Sequence, residues 1–359
     1  MNSSSLNSPA QDLCAGDLVE VRSAEEILAT LAADGTCESL PFMPEMLAFC
    51  GKRLVVFKRA TKVCDTIDKT GFRRMRRTVL LEGARCDGAE HGGCQAGCMI
   101  LWKEQWLKPL PKGGDSNLVT IEGRSQPGRA GESDVGSADT ARARLVACAR
   151  NENPAEPGRE VYRCQITELK KASFELPWWD LRVYLEDVSS RNRRLGEVVG
   201  LLFIMLFNWV QGKRGGNAYP YIETGRLTKT PVHSTHLKPG DKVRVKSLAE
   251  IQATLDGRNK NRGLFFDVGM ARYCGHTFRV AESATQIIHE KTGEIIRVPE
   301  NNPMILLDGA ICHADYQKFC TRSEYVFWRE IWLEKIESGE ERVMPACSEG
   351  EACATGKSN

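Results

Sequence analysis

Apolar and polar positions alternate over Leu18 to Val21, which predicts a short strand. Ser23, with Glu26 three residues on, is a capping box and starts a helix whose apolar stripe is Ile27, Leu28 and Leu31. Further strands are predicted at Arg53 to Phe57, after the Cys50-Gly51 turn, and at Thr78 to Leu81, ended by Gly83. Trp102 to Leu107 fits two readings: its tryptophans are four apart, as on a helix, yet Met99 to Trp102 reads as a strand. Pro177 suits a first helical position, and Leu181, Tyr184, Leu185 and Val188 follow at helical spacing. The longest apolar stretch is Leu195 to Val210, interrupted by Glu197 and Asn208. It is shorter than the roughly 20 residues that cross a bilayer. We expect a buried core helix here rather than one dipping into a membrane, and no spanning segment.

Much of this pattern occurs twice. Gly16-Asp17-Leu18-Val19-Glu20-Val21-Arg22-Ser23 reappears as Gly240-Asp241-Lys242-Val243-Arg244-Val245-Lys246-Ser247. The match runs on through Glu26-Ile27 and Glu250-Ile251, and through Cys50-Gly51 and Cys274-Gly275. After a shift of two residues it resumes. Cys86 then pairs with Cys312, Cys94 with Cys320, and Trp102 and Trp106 with Trp328 and Trp332. The expected fold class is α+β, with two related small β-rich modules, each an SH3-like barrel, flanking a helical middle region. The expected boundaries are 13–110 for module one and 237–337 for module two, which repeats it. Between them lie a disordered linker over 111–144, rich in Gly, Ser, Asp and Arg, and a helical region over 145–236. A disordered tail is expected over 338–359.

Composition narrows the chemistry. The net charge of +2 gives no global field toward nucleic acid or membrane, and fourteen cysteines is a high count. Met1 to Gln11 is polar, without the apolar stretch of a secretory signal, so we expect a cytoplasmic, reducing location. There, clustered thiols are metal ligands, redox groups or buried apolar residues. The repeat selects Cys50, Cys86 and Cys94 in module one and Cys274, Cys312 and Cys320 in module two. Cys64 falls opposite His289 if one extra residue precedes it. The expected zinc ligand sets are therefore Cys50, Cys64, Cys86 and Cys94, and Cys274, His289, Cys312 and Cys320. His91, Cys98 and His313 are spare ligands. The competing reading is that these cysteines pack as inert apolar groups, since no Cys-x-x-Cys knuckle is present.

Two further readings stay open. His91 could lower the pKa of Cys86 and make it a nucleophile in module one alone, because Gln317 stands opposite His91. Gly92-Gly93 would leave that loop flexible. Between Lys52 and Arg77 there are ten basic residues and two acidic ones, so Arg73, Arg74, Arg76 and Arg77 are candidate nucleic-acid contacts. A solvated loop explains the same run. His233 and His236 lie in a proline-flanked linker, and the tryptophans read as core packing.

The chain resembles a family of uncharacterised bacterial proteins. The likeness rests on Leu40-Pro41-Phe42-Met43-Pro44-Glu45-Met46, on Arg85-Cys86-Asp87 with Gly92-Gly93-Cys94-Gln95-Ala96-Gly97-Cys98, and on Leu176-Pro177-Trp178-Trp179-Asp180-Leu181-Arg182. Asn261-Arg262-Gly263-Leu264 and Tyr325 to Leu333 extend it through both modules. No activity is assigned to that family, so the resemblance implies no catalytic residues. The expected function is a binding or scaffold role toward a protein or small-molecule partner. An enzyme with a metal or thiol site in module one is the alternative, and nucleic-acid binding comes third.

Overall fold

The computed structural model describes residues 12–111 and 135–336, apart from positions 69, 154, 155, 178 and 317. Most of the expected 111–144 linker and the whole expected 338–359 tail lie outside the described residues. The fold is mixed α+β.

The strand expected at the start of the chain forms as Leu18–Val21. It lies in a five-stranded antiparallel sheet with the order Met99–Lys103, Thr78–Arg85, Arg53–Arg59, Leu18–Val21, Leu107–Pro109. The ambiguous tryptophan segment resolves into the Met99–Lys103 strand and a single 3-10 turn over Glu104–Trp106. Ser23 caps the helix Ala24–Leu28: its hydroxyl accepts from the Glu26 amide, and the Glu26 carboxylate accepts from the Ser23 amide.

A second antiparallel sheet has the order Met304–Leu307, Thr277–Ala284, Lys242–Val245, Leu333–Lys335. Its central pairing joins Lys242 to Arg279 and Val243 to Phe278, while the first sheet joins Leu18 to Val55 and Val19 to Leu54. Each sheet has a register shift in its long second strand, at Val56/Lys58 and at Val280/Glu282. Each core is centred on two fully buried tryptophans. Phe42 packs edge-on against Trp106 at 5.2 Å, and Phe266 against Trp332 at 5.5 Å. The Trp106 indole donates to Thr30 Oγ1 at 3.1 Å, and the Trp332 indole to Thr254 Oγ1 at 2.9 Å. These threonines satisfy one buried indole N–H in each core, while the buried indole N–H groups of Trp102 and Trp328 have no hydrogen-bond partner among the described residues.

The two sheet units pack on each other through reciprocal contacts. The Gln95 amide donates to the Gln286 carbonyl at 3.0 Å, and the Thr321 amide to the Lys62 carbonyl at 3.0 Å. The Ile288 amide donates to Cys94 Sγ at 3.3 Å, and the Cys64 amide to Cys320 Sγ at 3.1 Å. Each unit thus offers the same edges to the other, as the halves of a two-fold interface do. These contacts place Cys64 opposite Ile288. His289, the residue assigned to that position from the sequence, instead points its Nδ1 at Thr292 Oγ1, 2.9 Å away.

The region between the units departs from a helical domain. A helix, Val135–Ala149, begins inside the expected linker, and a hairpin, Arg150–Asn153 with Glu156–Tyr162, follows it. Cys164, Ile166, Leu169 and Ala172 then enter the first core. The Gln165 amide group bonds both the N–H and the carbonyl of Leu101 at 2.8 Å. Pro177 lies in a turn, and the helix starts later, over Arg182–Ser189. Asp187 on that helix is fully buried against Lys62 and accepts from Thr61 Oγ1 at 2.8 Å. The apolar stretch forms a helix over Leu195–Arg214, but it is not a core helix: only Val198 and Leu201 are buried. Apolar composition told its length, not what lies beside it.

Candidate metal centre

The loop joining the Thr78–Arg85 and Met99–Lys103 strands carries Cys86, His91, Cys94 and Cys98. Its base is closed by the Cys86 amide donating to the Cys98 carbonyl at 2.9 Å. The loop is tight rather than flexible. Gly88 has φ +71°, and a Cβ there would lie 2.0 Å from the Cys94 carbonyl oxygen. Gly93 sits so near the Gln286 side chain that a Cβ would meet it at 2.7 Å. The glycines allow Gln286 to press on the loop and bring Cys94 under Ile288.

His91 is buried. Its Nδ1 lies 2.7 Å from Glu45 Oε1, and its Nε2 lies 3.6 Å from Cys86 Sγ. Glu45 comes from the 3-10 helix Pro44–Phe49, where Glu45 Oε1 also accepts from the Glu90 amide at 3.0 Å. Glu45 Oε2 is buried and accepts no hydrogen bond. Glu45, Cys86 and His91 each bring a ligand atom within 4.8 Å of the others, and they are the one such group of three among the described residues. They could hold a metal ion. Cys86, His91, Cys94, Cys98 and Cys164 line one cavity of about 20 Å³ with Met43 and Ile288. That volume admits a water or a single ion.

Desolvation dominates the electrostatics of these thiols. Burial pushes the Cys86 thiol well above the ordinary thiol range, and the nearby Glu45 carboxylate adds to it. Burial does the same to Cys98, and it pushes Cys164 up to about 12. Burial is the largest single influence on the Glu45 carboxylate and works against it, but the bond and charge of His91 together with backbone N–H bonds outweigh it and leave Glu45 below its usual range. A desolvated thiol beside a carboxylate, as Cys86 is, makes a poor thiolate unless a positive charge joins it.

The ligand sets expected from the repeat do not assemble. Of Cys50, Cys64, Cys86 and Cys94, the cavity holds Cys86 and Cys94 only. Cys50 and Cys274 end matching 3-10 helices, and each packs against the apolar core of its own unit, where burial lifts its thiol to about 11. Cys64 lies at the junction with Cys320. A hydrogen bond between their thiols holds Cys320 below and Cys64 above the ordinary range. Cys274, His289, Cys312 and Cys320 form no group of three ligand atoms among the described residues. All twelve described cysteines are free thiols. Glu45 and Cys164 were missed in the sequence.

Three residues of the basic run, Lys58, Lys62 and Arg73, are turned inward, while Arg53, Arg76 and Arg77 stay exposed. Arg73 is buried, with Nε on Ser173 Oγ at 2.7 Å and Nη2 on the Lys170 and Ser173 carbonyls. Arg74 pairs with Glu186, and Arg76 stacks over Phe174 at 4.3 Å. Lys58 and Lys62 are buried as well. Arg74, Arg76 and Arg77 line a cleft of about 510 Å³, which Asp12 and Glu186 share. A continuous cationic face for a phosphate backbone is therefore not what this run builds.

The chain matches no protein-family model and no curated protein.

Proposed function

We propose that the protein is a binding scaffold made of two copies of one SH3-like module, with a single structural zinc centre in the first. The observation that carries this reading is His91, pinned through Nδ1 by a buried carboxylate and aimed through Nε2 at a cysteine in a small, thiol-lined cavity. Carboxylate–histidine pairs of this kind orient imidazole ligands and fix their tautomer. Thiolate and imidazole donors together favour zinc among the common divalent ions. The centre would tie three parts of the chain: the Cys86–Cys98 loop, the Glu45 helix turn and Cys164. Ile288 of the second module covers it through Cys94. The reciprocal contacts between the units support descent from a paired ancestor whose two copies became one chain.

Cys86, His91 and Glu45 also stand in the order of a nucleophile, its base and the group that orients the base. That thiol reading meets a cavity with no room for a substrate. Metal analysis of the full chain, purified without chelator, separates the two. We expect one zinc per chain, lost in Cys86→Ser and in His91→Ala. A metal-free protein whose Cys86 is rapidly alkylated by iodoacetamide in the folded state would support the thiol reading instead.

A further inference from the structure

The Leu195–Arg214 helix is 20 residues long, with a mean hydropathy of 1.5, and only 11% of its apolar window is buried. Phe203 and Trp209 are 68% and 63% exposed. At 100° per residue, Leu195, Leu202, Phe203, Leu206, Phe207 and Trp209 cover an arc of roughly 160°, with buried Val198 just past its Trp209 edge and buried Leu201 on the far side. Soluble surfaces rarely leave such a stripe in water.

Three observations choose its partner. The first is charge. The helix is preceded by exposed Arg194 and ends in exposed Lys213 and Arg214, and Glu197 is its one acid. A second copy would bring the same cations to the interface, whereas an anionic headgroup layer complements them. The second is aromatic placement. Trp209, Tyr219 and Tyr221 are exposed near the basic end, and such side chains settle at the boundary between headgroups and acyl chains. The third is connectivity. At 1.5 Å per residue the helix is about 30 Å long, enough to cross a bilayer. Crossing would put the two sheet units on opposite sides of the membrane. They are instead bonded to each other through Lys58 and Ser323, Thr321 and Lys62, and Gln95 and Gln286.

We propose that the Leu195–Arg214 helix is a monotopic anchor, lying in the plane of an anionic bilayer leaflet with its aromatic and leucine stripe in the acyl boundary. Both sheet units then sit on one side of that membrane. Nothing in this depends on the metal centre.

The test is flotation of the full chain with vesicles of phosphatidylcholine, alone or mixed with phosphatidylglycerol. Binding should favour the mixed vesicles, weaken with salt and shift the tryptophan emission to the blue. The triple variant Leu202→Ser, Phe203→Ser, Leu206→Ser should lose more than about tenfold in partitioning, because these side chains supply the buried apolar area. Lys213→Gln with Arg214→Gln should lose about fivefold per cation on anionic vesicles only. All five positions are exposed or half-buried, so the thermal midpoint should hold. Vesicle binding that survives the triple variant would overturn the proposal. So would a wild-type chain that ignores both vesicles, whether it stays monomeric or self-associates through Phe203.

Discussion

The two sheet units share the order of four strands, the register of their central pairing, tryptophan packing and a capped helix, and one place where they differ is the Cys86–Cys98 loop with the cavity beneath it. Opposite Glu45 the second unit has Gly269, and opposite His91 it has Gln317. Opposite Cys98 it has half-buried Glu324, which accepts from the Met99 amide at 3.3 Å. A scaffold that folds the same way with and without the ligand residues does not need them for its sheets. What the difference teaches is that the cavity is an addition to the architecture, and the thiols kept in both units do not share one role. Cys94 lines the cavity and its counterpart Cys320 does not, although each accepts from a backbone amide of the other unit, Ile288 at 3.3 Å and Cys64 at 3.1 Å.

The comparison can be broken at several points, and the largest effect belongs to a pair that only the first unit has. Asp187 neutralises buried Lys62, whose ammonium burial pushes below its ordinary range while Asp187 pulls it back. Asp187→Ala should cost about 3–5 kcal/mol in chemical denaturation, because it strands a buried charge. Gln286, opposite Lys62, has no such partner, and Gln286→Ala should cost a fraction of that. Equal losses at the two sites would mean that the ion pair is not what locks the middle region to the first unit.

The next effect concerns the cavity. Glu45→Gln should weaken metal affinity about 10–100-fold in a competition titration, since it removes the partner that orients His91. Gly269→Ala in the second unit should leave affinity unchanged. The same carboxylate has a pH signature. Its folded pKa lies below the 4.5 of a free glutamate. The stability it supplies is therefore complete above that value and is lost as pH falls through the lower folded one. Glu45→Gln should flatten this acid limb of the stability profile.

How much of this could be read from the sequence follows from the range of each interaction. The capping boxes, the short strands and the paired tryptophans depend on neighbours within a few residues, and they stand where the patterns put them. Cys164 reaches the cavity, and Glu45 reaches His91, from segments distant in sequence, so spacing around Cys86 could not find them. One signal was present: Glu45 aligns with a glycine while the flanking Met46 and Met270 agree. The Leu195–Arg214 helix was legible as a helix, but its exposure depends on which surfaces the two units leave uncovered. The Arg73 side chain reads as solvated until Ser173, a hundred residues on, is brought beside it.

The smallest prediction sharpens the likeness of the two units. Thr30→Val and Thr254→Val each leave a buried indole N–H without its acceptor, so each should cost about 1–3 kcal/mol. The two losses should agree to within a few tenths of a kcal/mol. Losses differing by more than about 1 kcal/mol would show that the tryptophan cores are not equivalent.

The central claim is that one unit holds a metal and its relative does not. An anomalous difference map collected at the zinc edge from crystals of the full chain tests it most directly. The account predicts one peak per chain, between Cys86 and His91. The absence of any peak, or a second peak beside Cys312, would contradict it.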